Sequence, residues 1–345
     1  MLDWLKRLGT RASPRPAPSL QTSTPLVPPL PLQGPEALQG LWIDEPDALQ
    51  RLEGMALAPE LRGDLTQFIE RGFTIIPQAI SPELADQVVA DAHRVLTEPA
   101  PYVVRNAGAY TDPARLQELG VGDRIIDLYA VSEAARAAVF TPRVAALLQA
   151  AFAEPAIAIQ SLYFEYGSQQ SIHQDTAYVV SRRPLGLAAI WIALEDVAPG
   201  TGELCYYPGG HRFPHFLFGG ERKHWIQSQD GQAQHQTYFK HLHDCAAERG
   251  IQVESFLPRK GDVLVWHADL PHGGSRITQM HTRRSLVLHF APQSVKANYA
   301  TRLGADYHEM PTENGHFFSC RHYRLQDMDA SGRAAVLFNG LKTPR

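Results

Sequence analysis

The sequence predicts a mainly-β domain, a jelly roll or β-barrel braced by helices. Two observations lead there. Apolar residues at helical spacing concentrate ahead of residue 153, and from residue 156 onward short runs rich in Ile, Val, Leu and aromatics alternate with Gly and Pro. Helices first and short strands later is the order of such a fold. Residues 64–71 read as a helix and residues 72–77 (Gly72-Phe-Thr-Ile-Ile-Pro77) as a strand. Ser81-Pro82 then supplies a cap and a proline for the first helical position, followed by Leu84, Val88, Ala92 and Val95 on one helical face. A second helical region covers 132–152. Strands are expected over 156–166, 187–194, 203–207, 263–267 and 285–290, whereas 219–255 is polar and of low pattern.

The 345 residues give a soft prior of about two domains and allow one large core. Hydrophobic residues are 44% and charged residues 20%, with a net charge of −4, which excludes a disordered or collagen-like chain. The mild acidity offers no electrostatic footprint for nucleic acid. No apolar run approaches the roughly 18 residues that a transmembrane helix needs. Three cysteines (Cys205, Cys245, Cys320) without a CxxC pair argue against a disulfide scaffold and a cysteine zinc site, so a cytoplasmic location is expected. Residues 1–40 form a Pro-rich tail with the composition of an extended linker. Its first eleven residues carry Leu2, Trp4, Leu5 and Leu8 beside Lys6, Arg7 and Arg11. A frayed terminus is the expectation there, and a membrane-surface or partner contact is the alternative. No continuous apolar stretch follows these basic residues, which disfavours a secretory leader. The body is assigned to 41–310 and a C-terminal extension to 311–345, with His316, the two phenylalanines after it and Tyr323 available to pack on the barrel.

Chemistry enters with Ser171-Ile-His173-Gln-Asp175-Thr176. On an extended segment residues i and i+2 point to one side, so His173 and Asp175 can present a nitrogen and an oxygen to one ion. A second signal is Gly261-Asp-Val-Leu-Val-Trp-His267-Ala-Asp269-Leu-Pro-His272, a turn and strong strand with His272 beyond its end. Two histidines and one carboxylate on one face of an ion, with open positions opposite, make the facial triad of non-haem Fe(II) oxygenases. The third signal is Thr282-Arg283-Arg284-Ser285. A buried arginine beside such a site grips a carboxylate in a two-pronged fashion, and Ser285 faces the same way. His267-Ala-Asp269 is a rival metal motif, with His289 its only nearby strand partner; otherwise His289 is expected to pack inside the barrel. His241 and His243 lack a cysteine or glutamate at zinc spacing.

His173-Gln-Asp175, His272 ninety-nine residues later and Arg283 eleven residues beyond it resemble the phytanoyl-CoA dioxygenase family. The stretch 68–77 resembles that family's opening helix and strand. Trp191-Ile-Ala-Leu-Glu195-Asp196 and Gly202-Glu-Leu-Cys-Tyr-Tyr-Pro208-Gly209-Gly210-His211 resemble its central strands and turn, with Gly210 in place of a small polar residue. The likeness covers about residues 62–300 in family order. It implies a double-stranded β-helix (cupin-like jelly roll) and dependence on Fe(II), 2-oxoglutarate as cosubstrate and O2. It implies His173, Asp175 and His272 as metal ligands, Arg283 as anchor for the far carboxylate of 2-oxoglutarate, and Ser285, Trp191 and Gln160 as cosubstrate neighbours. Gly274 stands where members often carry Ser, with Ser275 next to it.

The activity so implied is hydroxylation of an unactivated C–H bond of a small metabolite, lipid or glycan intermediate, with release of succinate and CO2. Asp175 keeps the carboxylate that halogenases of related fold replace. Tyr178, Arg182, Arg183 and His211 are candidate substrate contacts, and the two arginines would suit an anionic substrate. Other oxidative outcomes share the same site. The alternatives from other classes are a non-catalytic metal-binding or scaffolding protein on the same fold and a cosubstrate-free cupin-like metal enzyme, which has no second carboxylate for Arg283 to hold.

Overall fold

A computed structural model of the chain describes residues 38–97, 103–106, 109–111, 118–181, 183–295, 308–320, 324–325 and 336–337. The Pro-rich segment up to residue 37, Arg182, Tyr323 and the last residues lie outside the described residues. No helix among the described residues is long and apolar enough to cross a membrane.

The helical layer comes first. α1 (Ala48–Glu53) leads into α2 (Pro59–Arg71), which opens on a proline at the first helical position and ends at Gly72, whose φ of +77° is the left-handed cap that glycine takes without strain. The helix therefore begins ahead of the expected residue 64. β1 (Phe73–Ile76) follows at once. In α3 (Pro82–Thr97) the Ser81 hydroxyl accepts from the Leu84 N–H at 3.2 Å, and Ala85, Val88, Ala92 and Val95 are buried on one face. The helical region 132–152 is two helices. α4 (Glu133–Val139) is capped by the Ser132 hydroxyl and α5 (Pro142–Phe152) restarts at a proline, which has no N–H to carry one helix through.

The strands are β2 (Val103–Asn106), β3 (Ala109–Thr111), β4 (Arg124–Ile126), β5 (Ala156–Phe164), β6 (Ala188–Ala193), β7 (Leu204–Tyr206), β8 (Glu254–Phe256), β9 (Val263–His267), β10 (His272–Gly274) and β11 (Ser285–Pro292). β12 (His308–Pro311) and β13 (Phe317–Cys320) form a hairpin, and β14 (Arg324–Leu325) pairs β15 (Val336–Leu337). The larger sheet runs β1-β9-β6-β11-β5-β4-β2-β3, and the smaller runs β10-β7-β8. The two sheets face each other as a double-stranded β-helix.

Strand alternation sorts the side chains into two layers. Leu162, Phe164, Trp191, Leu264, Trp266 and Val287 point inward and pack against Leu204, Tyr206 and Phe256 of the smaller sheet. Ile190, Ile192, Val263, Val265, Leu286 and Leu288 point outward and pack beneath Leu65, Phe68 and Ile69 of α2 and the apolar faces of α3, α4 and α5. Full burial of each such side chain contributes about 1.5–3 kcal/mol. Both faces of β5, β6, β9 and β11 are covered, which is why these strands read as near-continuous apolar runs. Pairing of β11 with β5 skips one residue between His289 and Phe290, leaving Ile159 out of register in a bulge.

The low-pattern stretch 219–255 holds a helix, α6 (Gln227–Glu248), broken at Gly231. Only Tyr238, Leu242, Cys245 and Ala246 of it are buried, a stripe too thin to stand out among its His and Gln residues. At the other end of the chain, β13 adds to β5 in parallel through Phe317 and Phe318. The His316 ring stacks on Phe140 (4.8 Å, 8°), and the Tyr129 hydroxyl donates to the Ser319 carbonyl at 2.7 Å.

Candidate metal centre

His173 and His272 sit directly opposite each other. Each donates its N–H to the other's carbonyl at 2.8 Å, so the His173 segment extends the smaller sheet beside β10. Gln174 is extended (φ −102°, ψ 139°), and Asp175 then opens a single 3-10 turn, Asp175–Ala177. The expected extended segment therefore ends at Gln174 rather than running through Asp175. The Asp175 N–H donates to the Ala268 carbonyl at 3.0 Å, which laces this loop to the stretch before His272.

One ligand atom from each of His173, Asp175 and His272 lies within 4.8 Å of the others, and all three residues are buried. Both imidazoles are oriented through Nδ1. That of His173 faces the Ser171 carbonyl at 2.8 Å and that of His272 the Leu270 carbonyl at 2.9 Å. A carbonyl only accepts, so Nδ1 carries the proton in each ring and Nε2 keeps its lone pair for an ion. Burial, reinforced by the neighbouring His272, pushes the His173 imidazole down to about 4, which keeps it neutral at physiological pH. Burial alone would raise the Asp175 carboxyl, but His272, His289 and His173 outweigh it and hold the carboxyl below the usual range. Trp266 Nε1 donates to Asp175 Oδ2 at 2.8 Å, leaving Oδ1 3.7 Å from His272 Nε2 and 3.4 Å from His289 Nε2. Two imidazole nitrogens and one carboxylate, each held from behind, are a donor set suited to a divalent iron ion.

Arg283 lies fully inside the same barrel. Its guanidinium stands between Trp191 (5.3 Å) and Phe164 (5.8 Å), donates through Nη1 to the Gly202 carbonyl at 2.8 Å and through Nη2 to Ser285 Oγ at 3.3 Å, and leaves Nε without a partner. None of the ion pairs among the described residues involves it. Burial lowers the guanidinium to about 10, against the pull of Glu203 and Glu195, so it stays charged. Ser285 and Trp191 thus both lie against the Arg283 guanidinium. Gln160 is buried opposite His289 in the β5–β11 register, with Oε1 unpartnered.

The outer candidates divide. The Tyr178 ring is 5.3 Å from that of His173, and its hydroxyl pairs with His235 Nε2 of α6 at 2.6 Å; burial raises it to about 12. Arg183 departs from expectation. Its guanidinium donates to the carbonyls of Gln39 and Gly40, an anchor for the residues just ahead of the body. His211 also departs. It is wedged against the Ile69 carbonyl (3.2 Å) and the His267 ring (5.5 Å), on the outward side of β9 from Trp266, and burial together with His267 lowers it to about 3. Arg182 is outside the described residues.

The rival motif comes apart. His267 pairs with Asp44 at 3.2 Å, and burial of its ring is outweighed by that carboxylate, which raises it. Asp269 turns to Lys223 at 2.8 Å. The two departures in sequence have steric causes. A Cβ at Gly210 would meet Pro271 Cδ at 2.6 Å, and one at Gly274 would meet the Gln169 nitrogen at 2.9 Å. Sequence reasoning missed Trp266 as the partner of Asp175, although alternation along β9 sets it on the inward face with Leu264. It also missed Lys223, which carries no local signal.

A β-helix holding a His-Asp-His cluster with a buried arginine nearby is the architecture of an oxygenase-type metal protein. The chain belongs to the phytanoyl-CoA dioxygenase (PhyH) family, whose profile matches residues 68–285. Phytanoyl-CoA dioxygenase domain-containing protein 1 of Rattus norvegicus is 24% identical over 170 residues, 47% of this chain and 54% of that protein; its Mus musculus counterpart is 23% identical over 170 residues. The match spans about half the length of these curated relatives. Among solved structures, EctD from S. alaskensis with 2-oxoglutarate and 5-hydroxyectoine shares the fold at a TM-score of 0.51 and 17% identity, over 78% of this chain and 89% of that one. The epimerase SnoN in complex with Fe3+, alpha ketoglutarate and nogalamycin RO does so at 0.51 and 18%, over 80% and 99%.

Proposed function

We propose that the protein is a non-haem Fe(II)- and 2-oxoglutarate-dependent dioxygenase that hydroxylates a C–H bond of a small organic substrate. The observation that carries this reading is Arg283, a charged guanidinium buried inside the barrel without a carboxylate partner. An isolated buried charge is costly and calls for a counter-ion. A carboxylate arriving from solution, bound to the ion at its other end, meets that demand. Bound together, iron(II), 2-oxoglutarate and O2 supply oxidative decarboxylation to succinate and CO2 coupled to hydroxylation.

The chain's own part is to hold and to shape. His173 and His272 offer Nε2 because their Nδ1 protons are engaged by carbonyls, and Asp175 offers Oδ1 because Oδ2 is engaged by Trp266. Arg283 and Ser285 receive the distal carboxylate, and the Trp191 and Phe164 rings keep water from that end of the barrel. Tyr178, protonated at neutral pH and held by His235, is the polar group we assign to the substrate side. Arg183 is engaged by the backbone carbonyls of Gln39 and Gly40 and so does not favour an anionic substrate. A small-molecule substrate accords with the ligands of EctD and SnoN named above.

The test is an anaerobic titration of apo-protein with Fe(II) and then 2-oxoglutarate. A visible metal-to-ligand charge-transfer band should form in the wild type and be absent in His173→Ala. Iron uptake without a band would remove the cosubstrate from this reading.

A further inference from the structure

The motif that the metal centre leaves unused, His267-Ala-Asp269, ends in a buried carboxylate whose polar atoms are all engaged. Asp269 Oδ1 accepts from the Thr176 hydroxyl at 2.6 Å, and Oδ2 accepts from Lys223 Nζ at 2.8 Å. Its carbonyl accepts from Gln174 Nε2 at 2.8 Å, and its N–H donates to His267 Nδ1 at 3.1 Å. Lys223 Nζ also reaches Gln174 Oε1 at 3.4 Å. Lys223 and Asp269 are 2% and 1% exposed, so the pair is shut off from solvent. Gln174 and Thr176 are the two residues flanking Asp175, and Asp269 stands three positions before His272.

We infer that Asp269 and Lys223 are positioning residues that lock the His173–Asp175 loop to the His272 loop and so fix the spacing of the metal ligands. The inference rests on the metal reading above. A buried ion pair is weak evidence for stability, because desolvation offsets the attraction and an apolar pair of the same size does as well. What an apolar pair cannot do is grip Gln174 and Thr176 at once. A shift of the Asp269 carboxylate would pass directly to Thr176 and, through Lys223, to Gln174, the two neighbours of Asp175. Partners bonded directly to metal ligands are worth about 10–100-fold in metal affinity, which sets the scale for a lock one residue removed.

The test is the charge-neutral, apolar double variant Lys223→Met with Asp269→Leu in the full chain. Thermal melting and circular dichroism report the fold, and titration with Co(II) reports both affinity and the ligand-field bands of the bound ion. Co(II) affinity should fall about 10–100-fold and the bands should change, with melting held within a few degrees of wild type. Melting, affinity and bands all unchanged would overturn the inference, as would lower melting with affinity and bands intact. Should the double variant not fold, Thr176→Val removes a single hydrogen bond to the same carboxylate. A weaker affinity and altered bands support the inference there, and unaltered ones overturn it. A wild type that takes up no Co(II) or Fe(II) would overturn the metal reading itself, and this inference with it.

Discussion

Arg283 is surrounded by a carbonyl, a hydroxyl and two aromatic rings, a poor set of neighbours for a full positive charge. Such a residue serves binding at the expense of stability. Arg283→Met should weaken 2-oxoglutarate binding by about 100-fold, the loss of two charge-assisted hydrogen bonds. Its melting temperature should equal or exceed that of wild type. Calorimetric titration and thermal melts check both; a sharp fall in melting with cosubstrate binding intact would make Arg283 a structural residue. His173 and Asp175 were legible because they stand two apart around an extended Gln174, and Arg283 because it stands two residues ahead of a plainly apolar strand; His272 came from the resemblance. Lys223 was not legible. Its partner Asp269 is 46 residues away, and nothing in its own neighbourhood separates a buried lysine from a solvated one. His211 and Arg183 misled for a related reason, since a turn residue or a loop arginine gives no sign of which surface the tertiary fold turns it toward.

Among the elements, β10 is the most constrained. Gly273 lies next to His272, and a Cβ there would meet the Gln170 carbonyl oxygen at 2.6 Å and the Ile172 nitrogen at 3.0 Å, both backbone atoms that cannot swing aside. Gly273→Ala should therefore push the His173 segment off β10. We expect a loss of about 1–3 kcal/mol in stability, typical of overpacking, with a parallel loss of metal affinity. Gly63→Ala in α2, where a Cβ meets nothing within 4 Å, is the control and should stabilise by about 0.5–1 kcal/mol. Denaturant titrations with and without metal read both, and equal effects at the two sites would refute the steric argument. The elements read best from sequence were those buried on both faces, such as Val263–His267, whose bounds coincide with expectation. Helix α6 escaped notice because its apolar stripe is four residues wide in twenty-two. The single region over 132–152 proved to be two helices because Pro142 can start a helix but not continue one.

At the scale of the molecule, the barrel is closed by segments far apart in sequence. β5 is flanked on one side by β11 and on the other by β4 at Leu162 and Tyr163 and by β13 at Ile157 and Ala158. The hairpin thus covers a length of β5 that would otherwise present bare N–H and C=O groups to another chain. It also inserts Phe318, 1% exposed, against Tyr129 (4.9 Å) and Phe140 (5.2 Å). Phe318→Ala should cost about 3–5 kcal/mol by chemical denaturation. Because the Phe318 side chain packs in the outward layer beneath the helices, 2-oxoglutarate binding should persist below the lowered transition; its loss in a folded variant would tie the hairpin to the site.

The opposition of His173 to His272 joins residues separated by ninety-nine positions. Contacts of that span are slow to form, because loop closure must be met before they contribute. An unfolded chain does not hold His272 beside His173 and Asp175, so the complete ligand set exists only in the folded protein. An ion that needs all three ligands would instead select the finished barrel and stabilise it by mass action, so that its loading would follow folding on packing alone.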